Sequence, residues 1–240
     1  MASPMQKRQW RIKAEQAEQK AVKDSAVSMQ NKNVTVESNV PQNEWELVRS
    51  TIEQDLRELK RIKPQLLKIE YKDKVLANYL PYLERENVPT DIKMRLMVWL
   101  FDTGNLSKAL PIAIEATELG LSMPEGFKSS APEFIADTVY KWTEKEFKRG
   151  ASVEPFFTQV FKLVTEKWQT YEQITAKYYK LAGLMALGKA NTKIKHVSEP
   201  ENLRIALNCF IKADAIYDKA GVSVRITEIK SRLALLFEDV

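Results

Sequence analysis

Cysteine and histidine are almost absent: of 240 residues one is cysteine, Cys209, and one is histidine, His196. A single thiol closes no intrachain disulfide and builds no cysteine-based zinc site, and a single imidazole excludes multi-histidine metal centres. Long apolar runs are missing as well. The longest strongly apolar stretch, Leu96–Phe101, falls far short of the ~20 residues of a membrane span. The N-terminus carries no apolar signal-peptide core. These absences point to a soluble protein of a reducing compartment, neither secreted nor partnered with a membrane.

What remains is ordinary globular composition, 44% hydrophobic and 29% charged. A domain this long can bury roughly 70–75% of the surface its unfolded chain exposes, so one domain with a tail, or two small domains, both fit. The net charge of +5 is modest, and its distribution says more. Residues 1–43 carry seven basic and four acidic residues and few core formers. Their densest part is Lys7-Arg8-Gln9-Trp10-Arg11-Ile12-Lys13. Residues 6–24 favour helix, with Trp10, Ala14, Ala17 and Ala21 on one face, but that face is too small to hold a helix alone. Residues 25–43 are polar, include Pro41 and read as a flexible linker. The tail is either a solvated terminus or an arm that orders on a polyanion, its cations neutralising phosphates while Trp10 packs or stacks.

From residue 44 onward the periodicity is helical, with no sustained alternation of period two. Trp45, Val48, Ile52, Leu56 and Leu59 recur at three- and four-residue steps, close to a heptad seam in which Asp55 takes one apolar place. They are the candidate oligomerisation seam, although packing on the chain's own core is the commoner fate of such a stripe. Pro64 predicts a kink or break in a long helix over 44–80. Caps delimit the rest: Thr90 opens 91–103, Asn105 opens 106–119, and Ser130-Ala-Pro-Glu133 forms a capping box for 131–149. Ser152 precedes 153–167, while Thr170-Tyr-Glu-Gln173 and Ser198-Glu-Pro-Glu201 are expected to box 171–188 and 199–219. Ser223 opens a last helix, and Gly104, Gly120, Gly150 and Gly221 close their respective predecessors.

Two predicted hairpins, 90–120 and 170–221, echo each other. Asn105-Leu-Ser-Lys-Ala-Leu110 is followed by Ala116, and Asn202-Leu-Arg-Ile-Ala-Leu207 by Ala213. The small residues would let a partner helix approach closely, as in a tetratricopeptide helix pair. The copies lie too far apart for a tandem array with its ~34-residue period.

Catalytic motifs fail on inspection. Gly183-Leu-Met-Ala-Leu-Gly188-Lys189 has phosphate-loop spacing, but Ala190 follows where Ser or Thr would hold magnesium, and no strand precedes it. Glu70-Tyr-Lys72, Glu146-Phe-Lys148 and Glu228-Ile-Lys230 match the nuclease triplet E-x-K, but such sites stand on strands, so these read as solvated helix faces. His196 reads as an exposed loop residue and Cys209, Trp99, Trp142, Trp168 and Phe210 as core. A helix-turn-helix at 91–119 would offer Lys108 against Glu115 and Glu118, a poor groove-reading surface. A better polyanion surface is Arg57, Arg61, Lys68 and Lys72, at about 0°, 40°, 20° and 60° on a continuous helix, with Lys60 nearby. Pro64 and the neighbouring acids Asp55, Glu58, Glu70 and Asp73 count against it, and a salt-bridged solvated face is the alternative.

The middle of the chain carries Leu80-Pro81-Tyr82, then Met97-Val-Trp-Leu-Phe-Asp-Thr-Gly-Asn105, then Ala109-Leu-Pro-Ile-Ala113, then Gly120-Leu-Ser-Met-Pro124. This progression resembles the small terminase subunit of temperate tailed phages that package cohesive-ended DNA. The start, Ser3-Pro4-x-Gln6-x-Arg8, and the Asn202–Gly221 segment are similar too. The resemblance covers most of 45–235 and is strongest at 80–124. Its most specific part is Trp99, Asp102, Thr103 and Gly104, with Leu100 and Phe101 after the tryptophan. Members often carry a longer basic C-terminal tail; this chain stops at Glu238-Asp239-Val240, so a DNA contact from such a tail is not expected.

The resemblance implies a packaging protein of the host cytoplasm. It would bind double-stranded phage DNA near the cohesive-end site, assemble as a homo-oligomeric ring, and deliver DNA to a large subunit that holds the ATPase and nuclease. The family is often labelled an endonuclease subunit, yet these residues offer no catalytic site, metal site or cofactor site, so cutting falls to the large subunit. The expected fold is all-α, a bundle of antiparallel hairpins, partly tetratricopeptide-like, with arm and linker at 1–43 and a helical body at 44–240. Expected DNA contacts are Lys7, Arg8, Arg11 and Lys13 of the arm, helped by Arg57, Lys60, Arg61, Lys68 and Lys72. The alternative is a tetratricopeptide-like adaptor that never touches nucleic acid.

Overall fold

The computed structural model describes residues 40–238. Among them are nine α-helices and no strand: α1 (Val40–Arg61), α2 (Gln65–Leu83), α3 (Thr90–Asp102), α4 (Leu106–Glu118), α5 (Ala131–Arg149), α6 (Phe156–Lys162), α7 (Glu172–Ala186), α8 (Pro200–Ile216) and α9 (Ser223–Glu238). The chain is all-α, as its periodicity predicts. Internal contacts divide it into residues 1–50 and 51–240. The first unit includes the opening of α1, in which Val48 is buried and Leu47 exposed.

Pro64 produces a full break rather than a kink. It adopts an extended conformation, φ −67° and ψ 130°, which no helix can continue through. The chain then turns back. Tyr71 Oη donates to Asp55 at 2.6 Å and Tyr79 Oη donates to the second oxygen of the same carboxylate. On one continuous helix Asp55 and Tyr79 would stand roughly 36 Å apart at 1.5 Å per residue.

Helix α3 is apolar around most of its circumference, and Ile92, Met94 and all residues from Leu96 to Phe101 are buried. Such a helix belongs at the centre of a core. It packs against α2 and α4, and Tyr79 meets Trp99 edge to face at 5.9 Å. The turn into α4 needs a left-handed residue, and Gly104 supplies φ +78° without a Cβ penalty. Asn105 N–H then donates to Leu100 O at 2.8 Å and Gly104 N–H to Phe101 O at 3.0 Å, which satisfies the carbonyls left free at the helix end. The Asn105 side chain caps α4 by accepting from Lys108 N–H.

The Ser130 capping box forms as expected: Ser130 Oγ accepts from Glu133 N–H and Glu133 accepts from Ser130 N–H. The other two boxes do not. Tyr171 and Glu199 take the N-cap positions of α7 and α8, without side-chain capping. Thr170 and Ser198 are thereby displaced one residue outside their helices. Thr170 Oγ1 instead bonds Thr175 Oγ1 at 3.1 Å. Helix α6 starts only at Phe156 and runs into a single π turn, Leu163–Lys167.

Helices α7 and α8 are antiparallel, because Gly183 faces Phe210 whereas the earlier Tyr179 lies near the later Lys212. Gly183 is a packing residue, not part of a phosphate loop: a Cβ there would stand 2.6 Å from the Phe210 ring. The echoed alanines behave alike. Ala109, Ala116, Ala206 and Ala213 are all buried, each where a partner helix comes close. Helices α7, α8 and α9 enclose an apolar cluster centred on Leu203, Phe210 and Ile229. Tyr178 joins α7 to α5 and α6: its hydroxyl donates to Ala136 O at 2.8 Å, and its ring stacks on Phe157 at 5.7 Å.

Candidate nucleic-acid interface

The arm residues Lys7, Arg8, Arg11 and Lys13 lie outside the described residues. The remaining proposed cations are placed, and they do not share one helix face. The break at residues 62–64 puts Arg57, Lys60 and Arg61 on the last turns of α1 and Lys68 and Lys72 on α2. Arg57, Lys60 and Arg61 are exposed, as is Lys63 in the break. They gather at a helix C-terminus, where the backbone dipole favours cations. Arg61 contacts Glu58 at 2.6 Å, with 75% and 43% of the two side chains exposed; such a surface pair is weak and leaves the arginine free to exchange partners.

Lys72 is a correction to the expected stripe. Its ammonium sits 2.6 Å from Asp102, and only 14% of its side chain is exposed. It ties α2 to the end of α3, so its charge is spent inside the fold. Lys68 is half-buried.

The candidate seam divides as well. Ile52 and Leu59 are buried within a single chain, so their apolar area is already removed from water without a second copy. Leu56 and Trp45 are half-buried.

The most specific motif has a structural meaning throughout. Trp99 is buried, Asp102 holds Lys72, Thr103 Oγ1 donates to Leu100 O at 3.1 Å, and Gly104 turns the chain. Helix α4 directs Ala109, Ala113 and Ala116 inward. Its outer face mixes exposed Lys108 and Glu118 with Glu115, which is paired to Lys93 at 2.6 Å, a poor groove reader.

Among the described residues no three His, Cys, Asp or Glu side chains come together as metal ligands. His196 is exposed in a 3₁₀ turn. Burial pushes the half-buried Cys209 thiol up, with Lys212 opposing, which disfavours a thiolate nucleophile. Burial likewise pulls the Arg95 guanidinium down, against the pull of Glu125. No described helix is long and apolar enough to cross a membrane.

A second basic surface has no place in the expected site. Gln173 to Ser198 contains no Asp or Glu, and Lys189, Lys193, Lys195 and His196 are exposed along its final turn and the connection to α8. The absence of acid over that run was the available signal.

Fold and surface together define an all-helical hairpin protein with cationic corners. Comparison with known proteins then gives its family. Residues 50–173 match the model of the phage small terminase subunit, and the chain belongs to that family. It is 32% identical over 202 residues to the "Probable terminase, endonuclease subunit" of Haemophilus phage HP1 (strain HP1c1), covering 81% of this chain and 72% of that one. It is 30% identical over 136 residues to the "Terminase, endonuclease subunit" of Escherichia phage P2, covering 54% and 55%. No solved structure matches the chain significantly. Membership places the protein in phage DNA packaging.

Proposed function

We propose that this protein binds viral DNA near the cohesive-end packaging site, assembles as a homo-oligomeric ring, and hands the DNA to the large ATPase and nuclease subunit for cutting and packaging into procapsids. The observation that carries this reading is the family match over residues 50–173. The exposed Arg57, Lys60, Arg61 and Lys63 support it, because cations at a helix end can neutralise phosphates without first breaking a buried ion pair. Lys68 is an auxiliary contact. Lys7, Arg8, Arg11 and Lys13 are the proposed arm contacts, and the helix that carries Trp45, Val48, Ile52, Leu56 and Leu59 is the proposed assembly element, meeting a second copy through its half-buried Trp45 and Leu56.

Both relatives are named as endonuclease subunits. In the proposed division of labour the isolated small subunit recognises DNA and the large subunit cuts it. The test is titration of a cohesive-end duplex with the wild type, the fourfold arm variant Lys7/Arg8/Arg11/Lys13→Ala, and Arg57/Lys60/Arg61→Ala, at several salt concentrations. Each phosphate contact removed should flatten the salt dependence by about 0.9 in log–log slope. Identical affinities and slopes for all three proteins would reject these DNA contacts.

A further inference from the structure

Beyond the residues matched by the family model lies a groove of about 1130 Å³ between α9 and the connection from α7 to α8. Helix α9 explains why it exists. Ile226, Ile229, Leu233 and Leu236 point into the apolar cluster shared with α7 and α8. At 100° per residue, Val224, Glu228, Ser231 and Leu235 fall on the opposite face. On that face Val224 and Leu235 remain 72% and 54% exposed. Leu184, Leu187 and Ile194 complete the apolar floor.

The rim is cationic. Lys193 and Lys195 line one wall, and Arg225 and Arg232 stand where α9 meets the connection. Arg232 Nε donates to Val197 O at 3.2 Å, which fixes the guanidinium at the rim. Arg225 faces another cation, Lys180, whose ammonium it helps push down after burial. None of these four rim cations is ion-paired among the described residues, and Glu228 is the one carboxylate lining the groove. A cationic rim over a leucine-lined floor suits carboxylates carried on an apolar helix face. Duplex phosphates would leave the floor unfilled, and no aromatic ring lines the groove for bases to stack on.

We propose that this groove docks an acidic amphipathic helix of a partner protein. The helix continues the packing of α8 and α9, its apolar side chains filling the floor and its carboxylates pairing with Lys193, Lys195, Arg225 and Arg232. This proposal is independent of the DNA contacts above.

The experiment uses the full chain and two fluorescein-labelled synthetic peptides of about 18 residues. Both carry the same glutamates; one has leucine at i, i+3, i+4 and i+7, the other serine. The leucine peptide is expected to bind about tenfold or more tightly than the serine peptide. Lys193→Glu/Lys195→Glu and Val224→Asp/Leu235→Asp should each weaken it about tenfold or more. All four positions are exposed, so circular dichroism and thermal melting should match wild type. Equal binding of the two peptides, or indifference to Val224→Asp/Leu235→Asp, overturns the proposal. It is also overturned if a duplex displaces the peptide through the lysines while ignoring the apolar pair, which would make this a phosphate site. Loss of self-association in the apolar variant would assign the face to a second copy and overturn it too.

Discussion

Asp55 occupies a position where the heptad pattern asks for an apolar side chain. Its role is legible only in three dimensions, because its partners Tyr71 and Tyr79 lie 16 and 24 residues away. The bond to Asp55, together with burial, pushes Tyr71 up to about 12; burial and the same bond push Tyr79 up as well. Burial beside Glu144 pushes Tyr140 up to about 12. Each of these phenols holds its proton more tightly folded than unfolded. The stability they contribute is complete below the ordinary phenol value near 10; for Tyr71 and Tyr140 it fades as pH rises from about 10 to about 12, and for Tyr79 it persists further. Thermal melting should therefore fall steeply over that window, and Asp55→Asn should flatten the fall while lowering stability at pH 7 by about 1–3 kcal/mol. A second residue-scale case is Gly183. Alanine there gains helix propensity but drives a Cβ to 2.6 Å from a fully buried ring. A net loss of about 1–3 kcal/mol is expected, or several degrees of melting temperature for a chain of this size. Combining Gly183→Ala with Phe210→Leu should recover part of it.

At the scale of elements, the sequence was most readable where one residue does one local job. Gly104, Ser130 and Pro64 each act within a single turn of backbone, and each ends or starts a helix where expected. Thr170 and Ser198 carry the same signature as Ser130, but the helices begin one residue later, because Tyr171 and Glu199 occupy the N-cap. Nothing in the local pattern distinguishes these cases. The difference is measurable. Ser130→Ala should cost about 1 kcal/mol, whereas Ser198→Ala should cost close to nothing in chemical denaturation. A full cost at Ser198 would mean that its hydroxyl caps α8 after all. The cations from Arg57 to Lys72 share no single helix face for a different reason: a helical wheel assumes a continuous axis, and the break after Arg61 removes it.

At the scale of the whole molecule, the division between α3 and the surface is clear from composition. The apolar run Leu96–Phe101 is buried in full, and the motif from Trp99 to Gly104 is spent on holding the hairpin together. The groove beside α9 was illegible because its walls, Lys193 and Val224 among them, are distant in sequence. Isolated protein incubated with cohesive-end DNA and magnesium should leave the DNA uncut, with cutting appearing when the large subunit is added. The central claim is that this subunit is an assembling DNA-recognition protein. Native mass measurement with and without a cohesive-end duplex tests it most directly. The predicted result is a closed homo-oligomer that gains the mass of bound duplex and loses it as salt rises; a monomer that stays free of DNA at low salt would contradict it.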